Sequence, residues 1–294
     1  MKKLFYNIEV WIIYYLNALA WHLWRKKTFE KEWKKDQHRW IFIMGCNNSG
    51  TSLLYNVLGE HPQIGKVAIE SVNLSKIWPS HITNVLPSSL KLGYNRAWTE
   101  GPDIFHLTEK DTCIDENRLR YDWLNMVKIK KIESKAYLLE KTTENAMRSR
   151  WLQKVFPNSY FIGIIRDGYA VSEGLHRNTG YDIARCARHW NATNKIMLED
   201  SKYLKNFKLI KYEDLTVDTK KILSDIAGFL GIEEAPFVKI ADKTWQTQNI
   251  YGKPMVIQNM NQASIERLSK EDIEKIEKGM HEMLEHFGYS INQK

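Results

Sequence analysis

The residues best suited to bind an anion lie in one short loop. Gly45 and Gly50 keep the G-x-x-x-x-G spacing of a phosphate-binding loop, but Thr51 stands where a nucleotide P-loop has its lysine. Side chains that donate hydrogen bonds fill the loop and the residues after it: Asn47, Asn48, Ser49, Thr51 and Ser52. Because the lysine that reaches the β- and γ-phosphates is missing, the pattern predicts a cradle for a single phosphate group, with no need for magnesium.

This loop joins a predicted strand to a predicted helix. Trp40 to Met44 is an apolar run rich in β-branched and aromatic residues, as expected of a parallel strand covered on both faces. From Thr51 to Leu58, apolar residues recur at helical spacing, and Gly59 follows. The N-terminus of such a helix favours an anion, because its backbone N–H groups are unpaired and the helix dipole is positive there.

Four more predicted strands bring a polar or charged residue to their carboxyl ends. These are Glu70 at the end of 66–70, Lys141 after 136–140, Arg166 after 159–165, and Tyr212 at the end of 208–212. Ligands of open α/β sheets bind in the crevice at the carboxyl ends of the strands. We therefore expect these side chains to face the same crevice as the phosphate loop.

Helical patterns alternate with the strands. Helices are predicted around Met147–Phe156, from Tyr169, over 182–204, over 219–230, and after Ser269, which forms a capping-box pattern with Asp272. This alternation predicts an α/β fold, a P-loop-like parallel β-sheet flanked by helices on both faces.

Composition indicates one domain with an N-terminal extension. The 294 residues are 43% hydrophobic, which is ample for one large core, and we assign residues 39–294 to it. The 43 Lys and Arg against 35 Asp and Glu give a net charge of +8, which fits a polyanionic ligand, an acidic polymer or an anionic membrane surface. Cys46, Cys113 and Cys186 are predicted to be free thiols, since three widely spaced cysteines suggest neither a disulfide framework nor a zinc site.

Residues 1–38 are predicted to form an aromatic helix followed by a charged linker. Residues 10–24 are mostly apolar, contain five Trp or Tyr rings and have basic flanks, but they fall short of the roughly 20 residues that span a bilayer. This composition favours an amphipathic helix in the membrane interface. The alternative is a helix docked on the domain or on a partner subunit. Thr28 to His38 is predicted to be a polar linker into the first strand.

Residues 71–135 have a weaker periodicity and many aromatic side chains. These aromatic residues and one histidine are Trp78, Tyr94, Trp98, Phe105, His106, Tyr121 and Trp123. The segment has two interpretations that the sequence leaves open, an insertion that recognises an acceptor or ordinary helical packing.

Four motifs in order resemble those of the sulfotransferases that use 3′-phosphoadenosine 5′-phosphosulfate. They are NSGTSLL at 48–54, IIRDGYAV at 164–171, KYEDL at 211–215 and FGY at 287–289. The resemblance covers most of residues 40 to 290. The pattern is more similar to tyrosylprotein and carbohydrate sulfotransferases and their bacterial relatives than to the cytosolic phenol enzymes.

The resemblance implies a donor, a product and roles for particular residues, with no metal. The donor is 3′-phosphoadenosine 5′-phosphosulfate, whose 5′-phosphosulfate would bind residues 47–52 (Asn47, Asn48, Ser49, Gly50, Thr51 and Ser52), and the product is 3′,5′-diphosphoadenosine. Arg166 would hold the 3′-phosphate, and Tyr212 would lie near the adenine. Glu70 would be the base that deprotonates the acceptor hydroxyl, and Lys141 the cation that stabilises the leaving phosphate.

Each of these roles has a structural alternative. Arg166 could instead form a surface ion pair with Asp167, Glu70 a salt bridge, and Tyr212 part of the core. Two positions also depart from the family's pattern, because Asn48 replaces a Lys or Arg and Gly174 replaces a Ser. Ser172 is the expected substitute for that serine, and Lys141 is expected to supply more of the positive charge.

We therefore expect a sulfotransferase that moves a sulfuryl group to a hydroxyl, with a glycan or glycoconjugate as the expected acceptor and no nucleic-acid partner. One alternative is a non-catalytic nucleotide- or polyanion-binding protein of the same fold, suggested by Asn48 and Gly174. Another is a P-loop kinase, which Thr51 disfavours. The expected location is a membrane, with the catalytic domain in the compartment that holds the donor: the cytoplasmic face in a bacterium or the Golgi lumen in a eukaryote. The oligomeric state is left open.

Overall fold

The computed structural model describes residues 16, 19–69, 106–112, 116–241, 247–248, 254–255 and 257–291. The predicted base, Glu70, lies outside the described residues. So do Trp78, Tyr94, Trp98 and Phe105 of the aromatic segment, and residues 1–15 of the N-terminal extension.

Five parallel strands form the central sheet. They are β1 (Arg39–Met44), β2 (Ile64–Ile69), β3 (Tyr137–Lys141), β4 (Ser159–Ile165) and β5 (Phe207–Lys211), in the spatial order β2-β3-β1-β4-β5. Two short strands, β6 (Thr247–Gln248) and β7 (Pro254–Met255), form a separate antiparallel pair. All the strand pairs of the main sheet are parallel, so its carboxyl ends share one edge.

Helices connect the strands and cover both faces of the sheet. In the described residues they are α1 (Lys26–Trp33), α2 (Thr51–Leu58), α3 (Glu116–Ile129), α4 (Ser149–Val155), α5 (Gly168–Thr179), α6 (Ile183–Ser201), α7 (Tyr212–Val217), α8 (Thr219–Leu230), α9 (Ala235–Ala241), α10 (Asn261–Ile265) and α11 (Lys270–Phe287). A π-helical segment, Trp21–Arg25, precedes α1, and a 3₁₀ helix, Thr143–Met147, precedes α4.

Strand β1 lies at the centre of the core, as its apolar run predicts. Trp40 and Phe42 point to one face, where they pack with side chains of α3, α4 and α6, whereas Ile41 and Ile43 pack with α2 and α8 on the other. Burial on both faces explains why the run is continuously apolar. The predicted parallel sheet with helices on both faces is confirmed.

Helix ends follow the local signals in the sequence. Ser269 caps α11 and forms a capping box with Asp272, while Gly288 ends this helix in the left-handed conformation, with φ of 72°. Helix α8 has the predicted bounds, Thr219–Leu230, and ends at Gly231.

Three local predictions differ from the structure. The stretch 28–33 is helical and not a linker, because Phe29 is buried against the domain. The helix expected around Met147–Phe156 is divided at Arg148, whose backbone is not helical. Tyr212 opens α7 and does not end β5.

In the aromatic segment 71–135, helix α3 is described, and it packs on the core through Leu119, Trp123 and Val127. For this part, the helical-packing interpretation holds.

Candidate active site

The loop between β1 and α2 is held in a conformation that requires glycine. Gly50 has φ of 93° and caps α2 without a capping side chain, so the first N–H groups of the helix are left for another acceptor. A Cβ at Gly50 would lie 2.7 Å from Cδ2 of Tyr212, and one at Gly45 would lie 2.4 Å from the carbonyl oxygen of Ile164. The two glycines therefore let the loop lie directly on β4 and α7.

Two polar groups of this loop fit the oxygens of an anion. Nδ2 of Asn48 and Oγ of Ser49 are buried, and neither has a hydrogen-bond partner in the part of the chain that the structure describes. Leaving such a group unpaired costs about 1–3 kcal/mol, so these donors gain most from a ligand. Thr51 is buried and Ser52 half-buried in the first turn of α2. These residues fit the phosphate that the sequence predicts.

Arg166, one residue past β4, connects this loop to two other segments through side-chain contacts. Its Nη1 donates to the carbonyl oxygen of Asn48 at 2.9 Å, and its Nε donates to Oδ1 of Asn261 at 2.7 Å. The guanidinium carbon lies 4.4 Å from the centre of the Tyr212 ring. Burial lowers the pKa of Arg166, although a guanidinium stays charged at neutral pH. Neither hydrogen bond uses Nη2.

Asp167 does not form the surface ion pair that was the alternative for Arg166. Its carboxylate accepts the backbone N–H groups of Tyr169 and Ala170, at 2.8 and 3.1 Å, and so caps α5. Burial raises the pKa of the Asp167 carboxyl. This cap sets the direction of α5 directly after the strand end that carries Arg166.

Glu213 joins the β4 end to the C-terminal part of the chain. Its carboxylate accepts the backbone N–H of Asp167 at 2.9 Å, Nδ2 of Asn261 at 2.6 Å and the hydroxyl of Tyr289 at 2.9 Å. Nearby, Nζ of Lys211 donates to the carbonyl oxygen of Phe287 at 2.7 Å. The polar residues of the KYEDL motif therefore hold the architecture of the site.

Tyr212 is positioned by the loop and by Arg166. Its ring lies between Gly50 and the guanidinium, and its hydroxyl donates to the carbonyl oxygen of Gln258 at 2.7 Å. These contacts support the packing interpretation of Tyr212, and its predicted place near an adenine stays a prediction.

Lys141 is the last residue of β3 and is only 2% exposed. In the sheet register it lies beside Ile43 of β1 and Ile69 of β2. Lys141, the predicted cation, is therefore a sheet neighbour of Ile69. Ile69 immediately precedes Glu70, the predicted base, in the sequence. The structure therefore brings Lys141 to the edge that carries the phosphate loop.

A buried polar network supports the segment after Lys141. Glu140 is fully buried, and its carboxylate accepts the hydroxyl of Thr142 and Nδ2 of Asn145, the latter at 2.6 Å. Burial raises the pKa of the Glu140 carboxyl. Asn47 Nδ2 donates to Oγ1 of Thr143 at 3.2 Å, and its Oδ1 lies 3.2 Å from Nε2 of His189. Asn47 thus ties the loop to the β3 end, and its amide is occupied by protein groups.

Asn48 and Gly174, the two departures from the family's pattern, are neighbours. A Cβ at Gly174 would lie 3.1 Å from Nδ2 of Asn48. Asn48 has φ of 65°, a conformation that asparagine tolerates better than most residues. Ser172 is two residues from Gly174 on α5, a rotation of about 200°, which turns it away from Asn48. Ser172 is fully buried and its hydroxyl has no hydrogen-bond partner among the described residues, so its predicted contact with the 3′-phosphate stays a prediction.

Sequence reasoning missed the residues that support the site from a distance: Glu140, Asn145, His189 and Asn261. Glu140 precedes Lys141 in the sequence. A carboxylate within a predicted buried strand was the only sequence feature that could have identified it as a supporting residue. Asn261 carried no signal, because it lies 95 residues from Arg166 along the chain.

A parallel sheet of this order, with a glycine-bounded loop after its central strand and an arginine after the strand beside it, defines a P-loop-like α/β protein. Residues 40–236 match the family model described as "Sulfotransferase family", and residues 183–293 match "Sulfotransferase domain". The chain belongs to the sulfotransferase family.

Two curated relatives are protein-tyrosine sulfotransferases. Protein-tyrosine sulfotransferase A of Caenorhabditis elegans is 25% identical over 235 residues, which are 76% of this chain and 56% of the relative. Protein-tyrosine sulfotransferase 2 of Gallus gallus is 26% identical over 227 residues, 73% of this chain and 55% of the relative. The chain therefore spans little more than half the length of these relatives.

The fold is also similar to that of a solved sulfotransferase domain. The domain of the olefin synthase from Synechococcus PCC 7002 has a TM-score of 0.54 at 17% identity, covering 87% of this chain and 98% of that one. At this identity the likeness shows the shared fold.

Proposed function

We propose that the protein transfers a sulfuryl group from 3′-phosphoadenosine 5′-phosphosulfate to a hydroxyl group. The observation that carries this proposal is the hydrogen bond from Arg166 to the carbonyl of Asn48, which fixes a half-buried cation beside the glycine-bounded loop. Such a pair suits a donor with phosphate groups at both its 5′ and 3′ positions. Family membership supports the same donor.

In this proposal, some residues bind the donor and another stabilises the charge that develops during transfer. When bound, the donor would supply the sulfuryl group, with the 5′-phosphate of 3′,5′-diphosphoadenosine as the leaving group. The N–H groups at the start of α2, with Asn48 and Ser49, would hold the 5′-phosphosulfate, and Arg166 would hold the 3′-phosphate. Lys141 would stabilise the negative charge that develops as the bond to the leaving phosphate breaks.

Glu70 remains the proposed general base, because it follows the strand that pairs with β3. Transfer requires that the acceptor hydroxyl lose its proton as its oxygen bonds to sulfur. A carboxylate at this edge would take up that proton.

The relatives named as protein-tyrosine sulfotransferases favour the hydroxyl of a protein tyrosine as the acceptor. The sequence alone predicted a glycan or glycoconjugate. Both acceptors present a hydroxyl, and acidic examples of either fit a chain with a net charge of +8.

Ligand-induced thermal stabilisation tests the donor site. We expect 3′,5′-diphosphoadenosine to raise the melting temperature more than 5′-AMP, and more than ATP with magnesium, because only this ligand occupies both anion sites. The largest shift with ATP and magnesium would instead support a kinase.

Transfer of labelled sulfate to tyrosine peptides and to glycans then tests activity and identifies the acceptor. Binding of 3′,5′-diphosphoadenosine without sulfate transfer to either tyrosine peptides or glycans would support a non-catalytic binding protein.

A further inference from the structure

The N-terminal helix, residues 19–33, is anchored to the domain by its C-terminal half. Phe29 is 2% exposed, and its ring meets that of Tyr121 edge-on at a centroid distance of 5.4 Å. Trp33 packs against Phe156 at 5.8 Å, and the guanidinium of Arg120 lies 5.1 Å from the Trp33 ring. These contacts fix the direction of the helix.

The N-terminal half of the same helix, with one residue before it, presents an exposed apolar face. This face consists of Leu16, Leu19, Leu23 and Trp24, which are 61%, 54%, 61% and 55% exposed. Only four other large apolar side chains are exposed in the described residues, and they lie apart in the sequence, at Ile129, Tyr203, Val217 and Met260. Clustering of this kind marks an interaction surface.

The residues that follow this face carry unpaired positive charge. Lys26, Lys27 and Lys31 are exposed, and within the described ranges no acidic side chain forms an ion pair with them. The two acidic residues of α1 are already engaged, Glu32 by Arg25 at 2.8 Å and Glu30 by Lys34 at 3.6 Å. The apolar face therefore adjoins a basic flank that favours an anionic partner.

The charge argues against a second copy of this chain as that partner. A copy would bring its own basic flank and a net charge of +8 to the contact. An anionic lipid surface offers both an apolar layer for the leucines and negative headgroups for the lysines. Trp24, at the boundary between the two, suits the headgroup layer.

We propose that Leu16 and residues 19–31 dock the protein on an anionic membrane surface, with the leucines inserted and the lysines at the headgroups. Across the ranges that the structure describes, every helix is too short or too polar to cross a bilayer. In this arrangement the helix lies along the surface, since its exposed leucines and its lysines must both reach the headgroup region, and its Phe29 and Trp33 contacts hold the domain at a fixed position above it.

Sedimentation of the full chain with vesicles tests this docking. We expect binding to vesicles that contain phosphatidylserine, and much weaker binding to phosphatidylcholine alone or at high salt. Leu19→Ser with Leu23→Ser should reduce vesicle binding by at least about tenfold, because two inserted side chains are lost. Lys26→Glu with Lys27→Glu should reduce it by at least about tenfold and remove the preference for anionic lipid.

Matched controls lie on another part of the domain. Val217→Ser removes an apolar side chain that is 81% exposed, and Lys220→Glu with Lys221→Glu reverses two exposed charges. Neither control should change vesicle binding.

Any of the following results would overturn the proposal. The first is a wild-type chain that ignores anionic vesicles, or a leucine variant that binds them normally. The second is a leucine variant whose melting temperature falls well below that of Val217→Ser, since another segment of the chain would then cover the face. The third is conversion of a dimer to a monomer in that variant, which would identify a second copy as the partner.

Discussion

Arg166 contacts three segments that are far apart in the sequence. It holds the carbonyl of Asn48, the amide of Asn261 and the ring of Tyr212. A side chain with this many contacts both shapes the loop and supplies charge to it. Its substitution is therefore expected to affect every ligand of the loop, but a 3′-phosphate most.

Arg166→Ala should weaken binding of 3′,5′-diphosphoadenosine by about 2–3 kcal/mol, the cost of a lost hydrogen bond to a charged group. Binding of 5′-AMP should weaken less, because only the support of Asn48 is lost. Titration calorimetry of both ligands measures the difference, and Arg166→Lys serves as the control that keeps the charge. An equal loss for both ligands would place the 3′-phosphate elsewhere.

Asn48 and Gly174 are expected to be energetically coupled, since a Cβ at Gly174 would lie 3.1 Å from the Asn48 amide. Gly174→Ala should stabilise α5 by up to about 1 kcal/mol through helix propensity, less the cost of crowding Asn48. In an Asn48→Gly background, which tolerates the positive φ, the full gain should appear. Denaturant unfolding of the four proteins measures a coupling of about 0.5 kcal/mol or more.

Gly228→Ala is the matched control for this cycle. Gly228 lies in α8, and a Cβ there would meet no atom within 4 Å. Its substitution should stabilise both backgrounds equally. Additive effects of Asn48→Gly and Gly174→Ala would show that the two positions are independent.

At the scale of elements, the loop between β1 and α2 depends on its close approach to α7. Gly50 and Gly231 both have positive φ, of 93° and 68°, but only a Cβ at Gly50 would strike a neighbour, the Tyr212 ring. Comparing alanine substitutions at these two glycines therefore separates the cost of backbone strain from the cost of the contact with Tyr212.

Gly231→Ala should cost about 1–2 kcal/mol of unfolding free energy, the usual penalty for a left-handed residue with a Cβ. Gly50→Ala should cost about 1–3 kcal/mol more, because the loop or the Tyr212 ring must shift. Gly50→Ala should also abolish the rise in melting temperature that 3′,5′-diphosphoadenosine causes, whereas Gly231→Ala should leave that rise intact. Thermal unfolding with and without 3′,5′-diphosphoadenosine measures both effects, and normal ligand stabilisation in Gly50→Ala would contradict this role.

The sequence predicted the elements whose signals are local. β1 is apolar from Trp40 to Met44 and β4 from Phe161 to Ile165 because both faces are buried there, and Arg166 follows β4 with no intervening residue. Tyr212 was misplaced by one element because β5 runs directly into α7. The contacts of Asn261 depend on long-range packing, which local patterning does not encode.

At the scale of the whole molecule, the sheet order decides which residues share the site. β3 lies between β1 and β2, so Lys141 is beside the loop strand on one side and beside the strand that leads to Glu70 on the other. Arg166 lies on the opposite side of β1, directly after β4. The two cations therefore lie on opposite sides of the loop strand.

Lys141→Met should reduce sulfate transfer while weakening diphosphate binding only modestly, because a cation aimed at developing charge acts most strongly in the transition state. Methionine fills the space of this buried side chain without the charge. Glu70→Gln should reduce turnover by roughly 10²- to 10⁴-fold, the usual range for loss of a general base. Labelled-donor assays measure transfer, and Lys128→Ala, an exposed lysine of α3, is the control.

Near-normal turnover in Glu70→Gln would remove Glu70 as the base. His176 would then be the next candidate. In the structure its Nδ1 lies 2.6 Å from the carbonyl oxygen of Tyr181.

The bond between Glu213 and Tyr289 has a consequence for the way the chain is made. Glu213 fixes the β4 end, yet one of its partners, Tyr289, lies 76 residues further along the chain and is therefore made later. Domains form as units once their whole sequence is available. A nascent chain that stops before Tyr289 would therefore carry an unfinished pocket, and newly made protein would gain protection by the nucleotide only once Tyr289 has left the ribosome.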